Sequence, residues 1–356
     1  MFRHVRDLVK GQRQRGLEVG LICDTGTGGE RAEKALAELA GDCTLGIHRL
    51  PMSRTLHTAD LTSLLRINGI CKALAPDIIH GHGAKGGAFA RLLARRIGAR
   101  SIYTPHGGSL HYDEKSLSGF VYLSLERLLR QRTDGLIFES RYVAEEYAAK
   151  VGKTLFPARV IYNGLHADEF SPVGCAAHCR DFLFVGELRR LKGLDLLLEA
   201  ASLLARRCKA GLLIVGAGPD GDYFAGRIRE LGLEDSVSMA PPVYPVTQAF
   251  RMANCVVVPS LAESFPYVVL EAAAARIPLI TTSVGGIPEI AGPYTDGLVP
   301  PGDPEALAQA MFSMLDDPAK ARLSAEKLHE RVRANFRIDT MVDEVLKFYR
   351  QVAGVS

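Results

Sequence analysis

Short apolar runs alternate with amphipathic stretches along the whole chain. In the first half, strands are predicted at 18–23, 45–50, 77–80, 100–104, 135–138 and 159–162. Helices are predicted at 2–15, 29–39, 58–74, 86–97, 117–130 and 141–150. In the second half, strands are predicted at 181–185, 212–215, 237–239, 255–258 and 279–282, and helices at 193–206, 268–275, 304–315 and 340–352. Strands regularly separated by helices argue for an α/β protein with parallel sheets. Asn163-Gly164 stops the strand before it, and 165–180 has no clean period but contains Pro172 and Gly174. The expected division is therefore a first domain at 1–165, a linker at 166–180, a second domain at 181–335, and a last helix within 336–356 that crosses back to the first domain. Two doubly wound halves would face a central cleft, where the carboxyl ends of their strands meet.

The length of 356 residues suits two domains of roughly 150 to 180 residues each. A net charge of only +3 does not call for nucleic acid as a partner. No apolar run reaches the roughly 18 residues of a membrane span, and the charged start Met1-Phe2-Arg3-His4 is unlike a signal peptide. A cytoplasmic protein, at most resting on the inner face of the membrane, is expected. Seven scattered cysteines without a CxxC pair are expected to be free thiols. No metal is expected. Cys175, His178 and Cys179 match zinc spacing poorly, and Asp220-Gly221-Asp222 is a three-residue pattern that arises easily by chance.

The strongest chemical signal follows the strand at 255–258. Glu263-Ser264-Phe265-Pro266 leads into a helix that carries Glu271. Proline suits a first helical turn and serine can cap it, so Ser264 and Pro266 are expected to open that helix. Amides at a helix start form an anion site suited to a diphosphate. A carboxylate one turn in can accept hydrogen bonds from a ribose diol, and one in the loop can face a sugar. The pattern Gly216-Ala217-Gly218-Pro219-Asp220-Gly221 also fits GxGxxG, but it lies in mid-domain and Pro219 interrupts it, which makes it a weak dinucleotide fingerprint.

The stretch PSLAESFPYVVLEAAAARIPLITTSVGGIPEI resembles family-four retaining glycosyltransferases of the GT-B fold, with two Rossmann-like domains. Their E-x7-E signature matches Glu263 and Glu271, and their G-G-x-x-E matches Gly285 to Glu289. VIYNGLHADEF, FLFVGELRRLKG, LLIVGAGP and DGLVPPGDPEALAQAM follow in family order. DIIHGHGAKGG and YTPHGGSLHY are similar to bacterial exopolysaccharide enzymes. The resemblance implies transfer of a hexosyl group from a UDP- or GDP-sugar to a glycan or lipid-linked acceptor, with retention and without cofactor or metal. Glu263, His106 and Lys192 would be catalytic. Gly186, Arg189, Lys192, Ser264, Phe265, Pro266 and Glu271 would hold the donor. The alternatives are an epimerase of the same fold, or an inactive protein that binds nucleotide or glycan.

Two departures stand out. Glu187 replaces the family's phosphate-clamping arginine, which leaves Arg189 or Arg190 to serve. By the resemblance, a first strand and glycine-rich loop would precede the helix at 2–15, and the first domain is expected to lack them. Arg91, Arg95 and Arg96, then Arg127, Arg130 and Arg132, form basic clusters that could rest on anionic lipid.

Overall fold

The computed structural model describes residues 1–52, 57–111, 115–176 and 179–354. Their contacts divide the chain into Met1–Asn163 together with Ile338–Ser356, and Gly164–Arg337. Each unit is α/β with parallel strands. Among the described residues no helix is long and apolar enough to cross a membrane.

In the first unit, β1 (Leu21–Asp24) pairs with β2 (Ile47–Leu50). A separate sheet runs in chain order through β3 (Ile78–His82), β4 (Arg100–Thr104), β5 (Gly135–Phe138) and β6 (Ala158–Val160). Ile102, Tyr103, Leu136 and Ile137 are fully buried, as expected of parallel strands covered on both faces. Serine caps start two of the covering helices. Ser116 Oγ accepts from Gly119 N ahead of Leu117–Arg130, and Ser140 Oγ accepts from Val143 N ahead of Arg141–Lys150. The last helix, Ile338–Ala353, carries Met341, Val342, Val345, Leu346, Phe348 and Tyr349 on one apolar stripe. That stripe packs with Leu8, Ile102, Ile137 and Ile161.

The basic cluster is corrected in part. Arg91 is buried: it bonds Glu126 at 2.8 Å and lies 4.2 Å from the centre of the Tyr103 ring. Burial works against its charge, and Glu126 together with Tyr103 and Tyr147 outweighs burial to hold the guanidinium above its usual range. Arg95 donates to the Gln131 carbonyl, and Arg127 to that of Lys150. The helix stripe that points Arg91 inward is the one that packs Phe89, Ala90, Leu93 and Ala94.

In the second unit the strands are β7 (Arg180–Val185), β8 (Leu212–Val215), β9 (Val237–Ala240), β10 (Ala253–Val258) and β11 (Leu279–Thr281). Their order across the sheet is β11-β10-β7-β8-β9. The chain thus winds outward from β7 in one direction, then returns to β10 and winds outward in the other. Such a reversal opens a crevice at the carboxyl ends of the two central strands, β7 and β10. The core beneath is built from Phe182, Phe184, Leu197, Leu198, Ile214 and Val257. Cys175 and Cys179 are paired, with their Cα atoms 6.2 Å apart, against the expectation of free thiols. His178, the third member of that set, lies outside the described residues.

Candidate active site

The loops that leave β7 and β10 bring the expected residues together. After Val185 the chain turns through Gly186, whose amide donates to the Val215 carbonyl at 3.1 Å, and reaches a single 3-10 turn at Arg190–Lys192. After Val258 it enters the loop that carries Glu263. Because β7 and β10 are neighbours, Lys192 Nζ donates to Glu263 Oε1 at 2.7 Å. Ser260 Oγ donates to the same oxygen at 2.7 Å. The Glu263 side chain keeps 9% of its exposure and Lys192 keeps 30%, so the lysine is the half of the pair that solvent or a ligand reaches.

This loop is braced from behind. Thr282 Oγ1 donates to the Ser260 carbonyl at 2.6 Å, and Gly286 N donates to that of Ser264 at 3.0 Å. Gly285 has φ 57°, and a Cβ there would overlap the Glu263 carbonyl. Only glycine satisfies both constraints. Gly216 has a similar role: a Cβ on it would overlap the Gly186 carbonyl. The GxGxxG pattern is thereby explained as close packing of two strand-end loops.

The helix opening differs from expectation. Pro266 is itself the N-cap, with ψ 125°, and the helix is Tyr267–Ala274. The N-cap position thus falls on Pro266 and not on Ser264, because the extended proline starts the helix two residues beyond that serine. Phe265 is buried, with its ring edge-on to Phe336 at 5.5 Å. Glu271 lies just over one turn into the helix and is half-buried. Arg189 is 3.8 Å from Glu187, both well exposed. Arg190 is engaged elsewhere, 4.1 Å from the centre of the Tyr223 ring, with its amide donating to Asp220.

The first unit gathers a second polar cluster. His106 lies just past β4 with φ 51°, a left-handed backbone uncommon outside glycine and found disproportionately at functional sites. Its Nδ1 makes a short contact with the Glu139 carboxylate just past β5. Its Nε2 is 3.0 Å from Nδ1 of His82, the last residue of β3. His4, on the helix Phe2–Gln14, bonds Oδ1 of Asn163 at 2.9 Å. His80 is held between the Tyr349 hydroxyl at 2.6 Å and Thr104 Oγ1 at 2.8 Å. Burial first, then the charge of His106, holds His4 down to about 3. Burial and the neighbouring imidazoles hold His80 and His82 well below the usual range. Burial pushes the Glu139 carboxyl up, but the charge and hydrogen bond of His106 outweigh it, and its pKa lies below the ordinary value. Of this cluster only His106 was singled out from sequence. The signal for the others was positional: His82, Glu139 and Asn163 each end or closely follow a parallel strand.

The two-unit α/β architecture recurs in solved structures. The sucrose-phosphate synthase of Thermosynechococcus elongatus superposes with a TM-score of 0.81 at 24% identity, over 99% of this chain and 94% of that one. Anabaena HepE, solved in complex with UDP and glucose, gives a TM-score of 0.81 at 17% identity, over 98% and 95%. These likenesses define the fold as that of the GT-B glycosyltransferases, with two Rossmann-like domains. Residues 179–317 match the family model for glycosyl transferases group 1, and residues 1–164 match that for a glycosyl transferase 4-like domain. The D-inositol 3-phosphate glycosyltransferase of Kineococcus radiotolerans is 32% identical over 316 residues, covering 77% of this chain and 71% of its own. The chain belongs to the group 1 family of glycosyltransferases.

Proposed function

We propose that this chain moves a hexosyl group from a UDP- or GDP-sugar to a hydroxyl of a glycan or lipid-linked acceptor, with retention, in surface or exopolysaccharide synthesis. The observation that carries the reading is the Lys192–Glu263 pair where β7 and β10 end. A diphosphate leaving group gains negative charge as the bond to the anomeric carbon breaks, and a fixed cation beside it lowers that barrier. Lys192 is that cation, with Arg189 as the second. The start of the helix Tyr267–Ala274 supplies the positive end of a dipole for the phosphates. Glu271 takes the ribose diol, and Glu263, turned by Ser260 and Lys192, lies beside the sugar. His106 is the proposed donor-sugar contact from the first unit. The UDP bound by HepE supports a nucleoside diphosphate leaving group.

Retention is assigned to same-face substitution. The acceptor oxygen bonds the anomeric carbon on the face that the phosphate leaves, and the acceptor proton passes to a phosphate oxygen. A cytoplasmic enzyme resting on the inner face of the membrane fits the helix Leu117–Arg130, where Leu117, Phe120, Val121 and Leu128 are exposed. Co-sedimentation with anionic vesicles tests this, and a Phe120→Ser chain that sediments as strongly as wild type sinks it.

A panel of nucleotide-sugars, assayed by released nucleoside diphosphate with and without acceptor glycans, tests the reaction itself. Release from a UDP- or GDP-hexose that depends on acceptor is the expected result. Epimerised sugar from donor alone overturns it in favour of an epimerase.

A further inference from the structure

His4, His82 and His106 form a cluster whose chemistry the transfer reaction does not use up. One ring nitrogen from each lies within 4.8 Å of the other two. The amide oxygen of Asn163 only accepts, so Nδ1 of His4 carries the proton and Nε2 presents a lone pair. That Nε2 is buried and has no hydrogen-bond partner among the described residues. Leaving a buried polar atom unsatisfied costs about 1–3 kcal/mol, which calls for a reason. His106 is aimed in the same way: the Glu139 carboxylate holds Nδ1, and Nε2 turns toward the cluster. Carboxylate and carbonyl partners on the far nitrogen are what orient histidines that bind metal.

We propose that Nε2 of His4, Nδ1 of His82 and Nε2 of His106 form a three-histidine site for a divalent ion of the zinc class, with Glu139 and Asn163 as its outer support. Three imidazoles suit zinc, which takes each at about 2.0–2.1 Å and keeps a fourth tetrahedral position for water. Those bonds place the nitrogens about 3.4 Å apart, so the 3.0 Å pair opens slightly and the wider pairs close. The proton that His82 Nδ1 and His106 Nε2 share is displaced by the ion and leaves to solvent, while Nδ1 of His106 keeps its proton against Glu139. His80 is not a ligand, because both its nitrogens are taken. The expectation of no metal weighed the cysteine cluster and Asp220-Gly221-Asp222, neither of which belongs here. The site rests on this geometry and not on the transfer reaction.

The test is a cobalt titration of the tag-free chain after stripping with EDTA, followed by zinc competition. One equivalent of Co2+ with tetrahedral visible bands and no sulfur-to-cobalt charge-transfer band is expected, and Zn2+ should displace it. Glu139→Gln should weaken binding about 10- to 100-fold, and His4→Gln at least as much. Either a wild-type chain that takes up no stoichiometric Co2+, or a thiolate spectrum, overturns the site whether or not the variants fold. A folded His4→Gln chain that binds as tightly as wild type also overturns it. Because the readout is binding, a negative result leaves the transfer reading untouched.

Discussion

Both units gather polar side chains at the carboxyl ends of parallel strands, and the two collections are chemically unlike. In the second unit the central pair is charged and opens to solvent on one side: Glu263 is buried, but Lys192 keeps 30% of its exposure. In the first, His4, Glu126 and Glu139 are buried, and so is Arg91. The difference separates two uses of polarity. A charge at the rim of a sheet is available to a ligand. A charge or imidazole inside is held by partners, and the fold depends on those partners.

The largest expected effect breaks the first unit. Glu126→Ala leaves the Arg91 guanidinium buried without its carboxylate, and should cost about 3–5 kcal/mol in urea denaturation. A loss under 1 kcal/mol would mean that water or another group replaces Glu126. In the second unit the corresponding deletions should spare the fold and strike the reaction. Lys192→Ala or Glu263→Ala should lower kcat about 100- to 1,000-fold with an unchanged circular dichroism spectrum. Wild-type turnover in either would remove the donor site from this place.

Gly285→Ala tests the brace behind the Glu263 loop, within the second unit. Its positive φ and the Glu263 carbonyl behind it predict a stability loss of about 1–3 kcal/mol. A displaced Glu263 should also slow turnover about 10- to 100-fold. Unchanged kcat with the stability loss would show that the loop tolerates displacement. A further effect is one of pH. His4 has a folded pKa of about 3 against 6.5 unfolded. Between those values the unfolded chain binds the extra proton, so stability falls as pH falls from 6.5 toward 3, by at most about 1.4 kcal/mol per pH unit. Metal-stripped His4→Gln should lack that component. Urea midpoints at pH 6.5, 5.5 and 4.5 that run parallel for the two chains would show that His4 is not held neutral.

Legibility in the sequence followed the same divide. The strands Arg100–Thr104, Gly135–Phe138 and Leu212–Val215 stand where apolar runs placed them, because buried parallel strands are apolar without interruption. Four helices were not foreseen, the short Thr247–Phe250 and Ile287–Ala291 and two longer ones. Gly221–Glu230 buries only Phe224 and Ile228, and Pro318–Asn335 buries only Ala325, His329 and Val332. Stripes that thin are lost among charged residues. Glu263 and Glu271 were visible because one loop and one helix turn carry both. The histidine cluster was not, since His4, His82, His106, Glu139 and Asn163 come from five separate segments and only the sheet brings them together. Arg91 looked like surface charge because its partner, Glu126, is 35 residues away.

The last helix has a consequence for how the protein is made. Val342 lies against Gly11 so closely that a Cβ there would overlap it, and Tyr349 accepts a bond from Gln12 at 3.1 Å. The strands that leave the ribosome early therefore wait, with part of their core uncovered, until Ile338–Ala353 has been translated. The intervening segment Gly164–Arg337 can collapse while they wait, since Leu165 already bonds Phe336 and pairs with Arg337.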